Sequence, residues 1–430
     1  MSIPLDRLYH YIDDVAREIN NNNIVIYRFY PHGSKKVEDC CTLYDLSWIE
    51  RTSIIHMYCN DQEPLNYELY ENLSSNDDFT NLLKSLSLYN PQNLRRYASI
   101  YEKSYLLHSE QRSNEVIKYQ NLCFIPVYYW SHAIIARDWF RFAEHVEQKK
   151  QVSKIFLIYN RAWSGTREYR LRFTELLIDL GLEKHCQTSI NPIEPELGMH
   201  YKMHTFKNPA WQPQTVLENY FSTSSAHSSY SADFDINNYE TTDIEVVLET
   251  LFDDNRLHLT EKSLRPIACR QPFILVGTHS SLEYLRSYGF KTFGNIWDER
   301  YDLIKDPQER MYAITELMKQ IANWDPSTRE RKMAEAQAIA EYNKKHFFSQ
   351  EFFDQITTEL KNNLQSAAIC LQKTNSVKPF VDCWENRLAV KEVRDFLEIN
   401  KPGQSPLRPT ITQVEIVLKI AKNQLGRRQN

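Results

Sequence analysis

The stretch Thr260-Glu-Lys-Ser-Leu-Arg-Pro-Ile-Ala-Cys-Arg-Gln-Pro-Phe-Ile-Leu-Val-Gly277 decides how the chain is read. Thr260 suits a helix N-cap, because its hydroxyl can satisfy one of the backbone N–H groups that a first turn leaves unpaired. Glu261 and Lys262 then stand in the first turn, and the helix runs toward Cys269. Pro272 to Gly277 is a short apolar strand, and Ile244 to Leu248, upstream of the helix, is another. Strands that alternate with helices imply a parallel sheet with crossovers. Open sheets of that kind bind ligands outside the carboxyl ends of their strands, which makes Gly277 a candidate site residue.

The first turn carries the chemistry. Unpaired N–H groups and the helix dipole together favour an anion at that end. A lysine there is unfavourable unless something negative neutralises it, and a pyrophosphate does so. Glu261 is placed to accept hydrogen bonds from ribose hydroxyls beside that pyrophosphate, and His258 precedes the motif within reach of the same ligand. The competing reading is an ordinary capped helix with surface charges.

Working outward, Tyr159-Asn-Arg-Ala-Trp-Ser-Gly-Thr-Arg-Glu-Tyr-Arg170 follows the apolar strand Ile155 to Tyr159 and opens a helix, Glu168 to Leu180, closed by Gly181. It holds Arg161, Arg167 and Arg170 around Gly165. Guanidinium groups suit bidentate phosphate recognition, and Ser164 or Thr166 can cap the helix. Arg161 is the expected pyrophosphate ligand, with the loop backbone, Ser164 and Gly165 included, closing over it. A solvated basic helix start paired to Glu168 and Glu175 is the alternative. Further upstream, Asn23 to Phe29, Ser53 to Tyr58 and Asn121 to Val127 read as strands, and Leu82 to Leu88, Gln92 to Glu102 and Trp130 to Glu147 as helices. Asp61-Gln-Glu-Pro64 ends the second strand. A transfer to a hydroxyl needs a group that takes the hydroxyl proton, so Asp61 and Glu63 are the catalytic candidates, with His132 and Asp138 in reserve. A turn stabilised by Asp61 is the plainer reading.

Thr260-Glu-Lys followed by a helix and Gln271-Pro-Phe-Ile resembles the sugar-donor motif of fucosyltransferase-like enzymes of the GT-B type. The longer string, with Gly289-Phe-Lys-Thr-Phe293, resembles phage-encoded glycosyltransferases. Asp61-Gln-Glu-Pro64, Trp130-Ser-His-Ala133 with Ala136-Arg-Asp-Trp139, and Asn160-Arg-Ala-Trp-Ser-Gly-Thr-Arg167 are similar to that set as well. The resemblance covers residues 50 to 310 in patches and is tightest over 258 to 293. It implies two Rossmann-like domains facing across a cleft, a nucleoside-diphosphate sugar as the co-substrate, and no metal. Glutamate meets the ribose and lysine the diphosphate in that family. Cys269-Arg270 departs from the small residues commoner at that place.

Length and composition fit this frame. At 430 residues the chain is too long for one ordinary core. The expected division is an acceptor-side domain over 1–150, a nucleotide-sugar-binding domain over 151–325 after the polar linker 147–154, and a helical extension over 326–430. That extension is read as helices Pro326–Phe348, Gln350–Leu371, Pro379–Leu397 and Thr410–Leu425. The nine glycines include no GxGxxG and no Walker A loop. The eight cysteines form no CxxC and read as reduced thiols of a cytoplasmic protein. No apolar run is long enough to span a membrane, and Met1 to Asn20 reads as an amphipathic helix. His200 and His204 lack a third ligand, and Asp298-Glu299 reads as a loop rather than a metal pair. The net charge of −5 weighs against broad nucleic-acid binding. A hydroxylated base in phage DNA and a surface glycan both stand as acceptors, and a non-catalytic binding module is the other class. The Ser- and Tyr-rich 219–230 stretch reads as an acceptor-covering loop or a disordered insertion.

Overall fold

The computed structural model describes residues 3, 5–19, 24–29, 40–42, 55–65, 104–121, 124–188, 191–195, 197–217 and 234–373. The expected helices at 82–88, 92–102, 379–397 and 410–425, and the 219–230 stretch, lie outside these residues. By contacts the chain divides into two compact units, one formed by 5–131 with 357–430, the other by 132–356 with the first four residues. The division at 131/132 lies within a helix, upstream of the polar stretch 147–154.

The unit containing 5–131 is built on a sheet ordered β2-β1-β3-β4-β5. Its strands are β1 (Ile24–Phe29), β2 (Cys40–Thr42), β3 (Ile55–Cys59), β4 (Ser104–His108) and β5 (Phe124–Tyr128). All neighbours are parallel except the edge strand β2, which runs antiparallel to β1. Helix α1 (Leu5–Ile19) is amphipathic, as its heptad-like spacing predicts: Leu8, Ile12, Val15 and Ala16 are buried. It packs on β1, and α2 (Asn114–Asn121) packs on β5.

The second unit carries a fully parallel sheet ordered β11-β10-β6-β7. Here β6 is Lys154–Ile158, β7 Cys186–Thr188, β10 Thr242–Leu248 and β11 Phe273–Val276. A small antiparallel hairpin, β8 (Ile193–Glu194) with β9 (Met199–His200), stands apart from it. Every residue of β11 and Ile155–Ile158 of β6 are buried. That is why these strands read as continuous apolar runs, and each fully buried Leu, Ile or Phe contributes roughly 1.5–3 kcal/mol. The order matters for function: β6 leads outward to β7 on one side, while β10 leads to β11 on the other. The chain therefore switches direction between the adjacent strands β6 and β10, and open α/β sheets bind ligands at the carboxyl ends of such a pair.

Six helices accompany or follow this sheet. They are α3 (Ser131–Trp139), α4 (Tyr169–Asp179), α5 (Ile236–Glu240), α6 (Glu261–Ala268), α7 (Ser281–Ser287) and α8 (Pro307–Ala322), of which α3 precedes β6. The expected Trp130–Glu147 helix is shorter, ending at Trp139 and continuing as a 3-10 turn over Arg141–His145. Helix α6 ends without glycine: Arg270 takes a left-handed φ of 53°, and Arg270 N and Gln271 N close onto Ile267 O and Pro266 O. That is the double-bonded helix stop usually made by glycine. The tail helices α8, α9 (Pro326–Phe348) and α10 (Gln350–Lys373) start on strong caps. Asp306 and Asp325 accept from N–H groups of the first turns, each followed by proline at the first helical position. The chain is thus a mixed α/β protein with parallel sheets and a helical region toward its C-terminal end. No described helix is long and apolar enough to cross a membrane.

Candidate functional site

The carboxyl end of β10 runs into Glu249, which is fully buried. Its carboxylate accepts hydrogen bonds from Thr250 N at 3.1 Å, Thr260 N at 3.1 Å, Thr260 Oγ1 at 2.8 Å and Ser263 Oγ. This one side chain pins the start of α6 to the end of the strand. Thr260 caps α6 as its sequence position predicts, accepting from Lys262 N at 3.3 Å. Gly277, just past the end of β11, sits against the stem of the same side chain. A Cβ there would stand 3.0 Å from Ser281 Oγ and 3.7 Å from Glu249 Cβ, so its smallness serves a close approach.

Glu261 occupies the first position of α6 and is only 4% exposed. Lys262 Nζ lies 2.8 Å from its Oε1, and His132 Nδ1 lies 3.2 Å from its Oε2. His132 comes from the first turn of α3, so two helix starts meet here. The His258 ring packs edge-on against His132 with centroids 5.3 Å apart. Burial alone would raise the Glu261 carboxyl, but Lys262 and His132 hold it well below the usual range. Glu261 is therefore a charged group inside the protein, and Lys262, with 16% of its side chain exposed, is the member that faces outward. The expected grouping of His258, Thr260, Glu261, Lys262 and Gly277 is one cluster in the structure, joined by His132 from the reserve candidates.

The loop after β6 lies at the other half of the switch point. Arg170 is buried, and it donates to Ala162 O at 2.7 Å, Leu248 O at 2.6 Å and Glu249 O at 3.1 Å. It ties the β6 loop to the end of β10, and burial lowers its pKa. Gly165 adopts a left-handed φ of 68° in a 3-10 turn over Gly165–Arg167, and Arg167 Nε donates to Ser164 O at 3.3 Å. Arg161 is half-buried. The backbone N–H groups of Trp163 and Ser164 do not face an open loop: both donate to Glu194 Oε2, at 2.7 and 2.9 Å. Glu168, read from sequence as a surface partner of arginine, is buried and accepts from Lys207 N, Asn208 N and His204. Neither the Ser164 nor the Thr166 hydroxyl caps the helix; the 3-10 turn begins at Ser164 without a side-chain cap bond.

Asp61 and Glu63 follow β3 in the other unit. Asp61 is buried, its carboxylate accepting from the Tyr129 hydroxyl and its carbonyl from Ser131 Oγ. Glu63 is half-buried. Asp138 is buried and accepts from Arg141 Nη1 at 3.3 Å. Among the described residues, no three His, Cys, Asp or Glu side chains are grouped to hold a metal ion. Asp298 pairs with Arg300, Glu299 accepts from Phe293 N, and Asp302 accepts from Leu282 N, a loop with a helix cap.

Glu249 and Glu194 are not singled out by sequence reasoning, and Glu168 is read there only as a surface charge. Glu249 had a signal, a carboxylate placed directly after the apolar run Val246-Val-Leu248. Glu194 had none, since its partners are backbone groups distant along the chain. No protein-family model matches this chain, and no curated protein matches it.

Proposed function

We propose that the chain is a glycosyltransferase that uses a nucleoside-diphosphate sugar, with the GT-B arrangement of two Rossmann-like domains. The observation that carries this reading is the Glu261–Lys262 pair in the first turn of α6, at the carboxyl side of a parallel sheet's switch point. Lys262 and the α6 N-terminus neutralise the diphosphate, and the charge that grows on it as it departs is the charge they stabilise best. Arg161 is a second cation for the same group. In the reaction the acceptor oxygen bonds the anomeric carbon while the bond to the diphosphate oxygen breaks, its electron pair leaving with the diphosphate. The acceptor's proton goes to a carboxylate. Glu63 and Asp61 are the candidates for that role, and the Asp61 carboxylate accepts from the Tyr129 hydroxyl. A hydroxylated DNA base or a surface glycan is the acceptor class.

The engagement of both Glu261 oxygens favours a second reading, a binding module that keeps the fold without the reaction. A thermal-shift screen of UDP, GDP, CDP, ADP and dTDP against wild type and Lys262→Ala separates the two. A ligand bound only by the folded state stabilises it by about 2.7 kcal/mol at a hundredfold excess over Kd. A shift with one nucleotide, lost in the variant, supports the transferase reading. No shift with any of them favours an inert module.

A further inference from the structure

The two oxygens of Glu261 meet partners of different kinds. Lys262 Nζ lies 2.8 Å from Oε1 and keeps part of its side chain in solvent, whereas His132 Nδ1 lies 3.2 Å from Oε2 on a residue only 4% exposed. These two are the partners of that carboxylate among the described residues. Lys262 Nζ also reaches Thr260 Oγ1 at 3.4 Å. An ammonium carries three N–H donors, so Lys262 keeps one for a ligand on its exposed side.

The imidazole is held in place by its own helix. Five residues along α3, buried Arg137 donates to Phe347 O and, at 3.1 Å, to Phe348 O, the last carbonyls of α9. Its guanidinium also lies against the Phe347 and Phe353 rings. Helix α6 packs on the same α9. The approach of His132 to Glu261 is therefore set by two helices fixed on a third, and the His258 ring closes on it edge-on.

A buried carboxylate needs donors on both oxygens as well as a counter-charge. Were Lys262 the sole compensation, the carboxylate would hold the ammonium inward, and its remaining negative charge would oppose any anion approaching the α6 start. With His132 on Oε2, part of that charge is met from the buried side, and Lys262 presents more of its own outward.

We propose that His132 is a positioning residue for diphosphate binding, acting through Glu261 to leave the Lys262 ammonium available to the ligand. The inference rests on the nucleotide-sugar reading above. Having almost no surface, His132 does not itself touch the ligand, which removes it from the candidates for accepting the acceptor's proton.

The test is a double-mutant cycle read by isothermal titration of the full chain. UDP, GDP, CDP, ADP and dTDP are each titrated into wild type, His132→Leu, Glu261→Gln and the double variant. Leucine fills much of the ring's volume and offers no donor. For the nucleotide that wild type binds, His132→Leu is expected to weaken binding about tenfold. With Glu261 already glutamine there is no charge to compensate, and the same change is expected to cost less than about twofold. His132→Asn, whose amide nitrogen can stand near the place of Nδ1, is expected to bind within about threefold of wild type. An equal loss in both backgrounds would mean that His132 acts independently of Glu261, and would overturn the inference. No loss in either would overturn it too, and both results leave the nucleotide-binding reading intact. If the leucine variant does not fold, the asparagine variant decides: a loss of about tenfold there, with the donor retained, would reject the role. If wild type binds none of the five, the nucleotide reading falls and the inference with it.

Discussion

Replacing Glu249 with alanine removes the acceptor for Thr250 N, Thr260 N, Thr260 Oγ1 and Ser263 Oγ at once, in a place where all of these residues are buried. The two backbone N–H groups cannot turn away, and each buried donor left unpaired costs about 1–3 kcal/mol, so they alone cost about 2–6 kcal/mol. The two hydroxyls can rotate, and lose less. Against this stands the relief of removing a buried carboxylate, whose desolvation is itself worth several kcal/mol. The unpaired amides win because the carboxylate is already well met by donors. The net loss should be about 2–4 kcal/mol, confined to the junction of β10 and α6. Native-state hydrogen exchange reads this locally: protection of the Thr250 and Thr260 amides should fall by about a hundredfold, the equivalent of about 2.7 kcal/mol. Glu249→Gln, which retains one carbonyl, should fall between the two. Protection of Thr260 within about threefold of wild type in Glu249→Ala would refute the assignment of Glu249 as the anchor of the α6 start.

The Glu261 carboxyl predicts a pH dependence. Burial raises its pKa, but Lys262 and His132 outweigh that and hold it well below its ordinary value of 4.5. A depressed acid contributes stability that is complete above the unfolded value and is lost as pH falls through the folded one. The stability difference between wild type and Glu261→Gln should therefore be level from pH 7 to about 5 and shrink below about 4.5; a difference that stays level down to pH 3 would count against the ion pair. At the far end of α6, Arg270→Gly should stabilise the protein by about 1 kcal/mol in urea unfolding. Glycine carries no penalty at a φ of 53°, and the Arg270–Glu341 contact it removes is a long, partly exposed one at 3.4 Å. A loss of stability on this substitution would show that the arginine side chain is worth more than the strain.

Much of the second unit was legible in the sequence because its signals are local. Thr260 caps α6, Pro326 to Phe348 is helical over the span its period predicts, and Gly181 and Gly289 end their helices with φ values of 65° and 88°. The apolar runs at 155–159, 244–248 and 272–276 became the buried strands β6, β10 and β11. The short strands β4 and β7 were missed, since a strand of three to five residues is no longer than a chance apolar cluster. The separate helix over 130–147 was overextended because aromatic and charged residues kept its period past Trp139.

The candidate site divides along the same line. The adjacency of Thr260, Glu261 and Lys262 is a property of one turn of helix, so sequence alone determines it. The distant partner of Glu261 and the backbone partners of Glu194 are not. His132 lies well over a hundred residues from Glu261, and Glu194 reaches Trp163 and Ser164 through backbone groups that carry no residue-type signature. Likewise Arg170 looked like a phosphate ligand by charge and position, yet it is a buried clamp on Ala162 O, Leu248 O and Glu249 O. Local propensity fixes which groups sit next to one another along a turn. Which groups face each other across the sheet depends on strand order, and only the packed tertiary structure decides that.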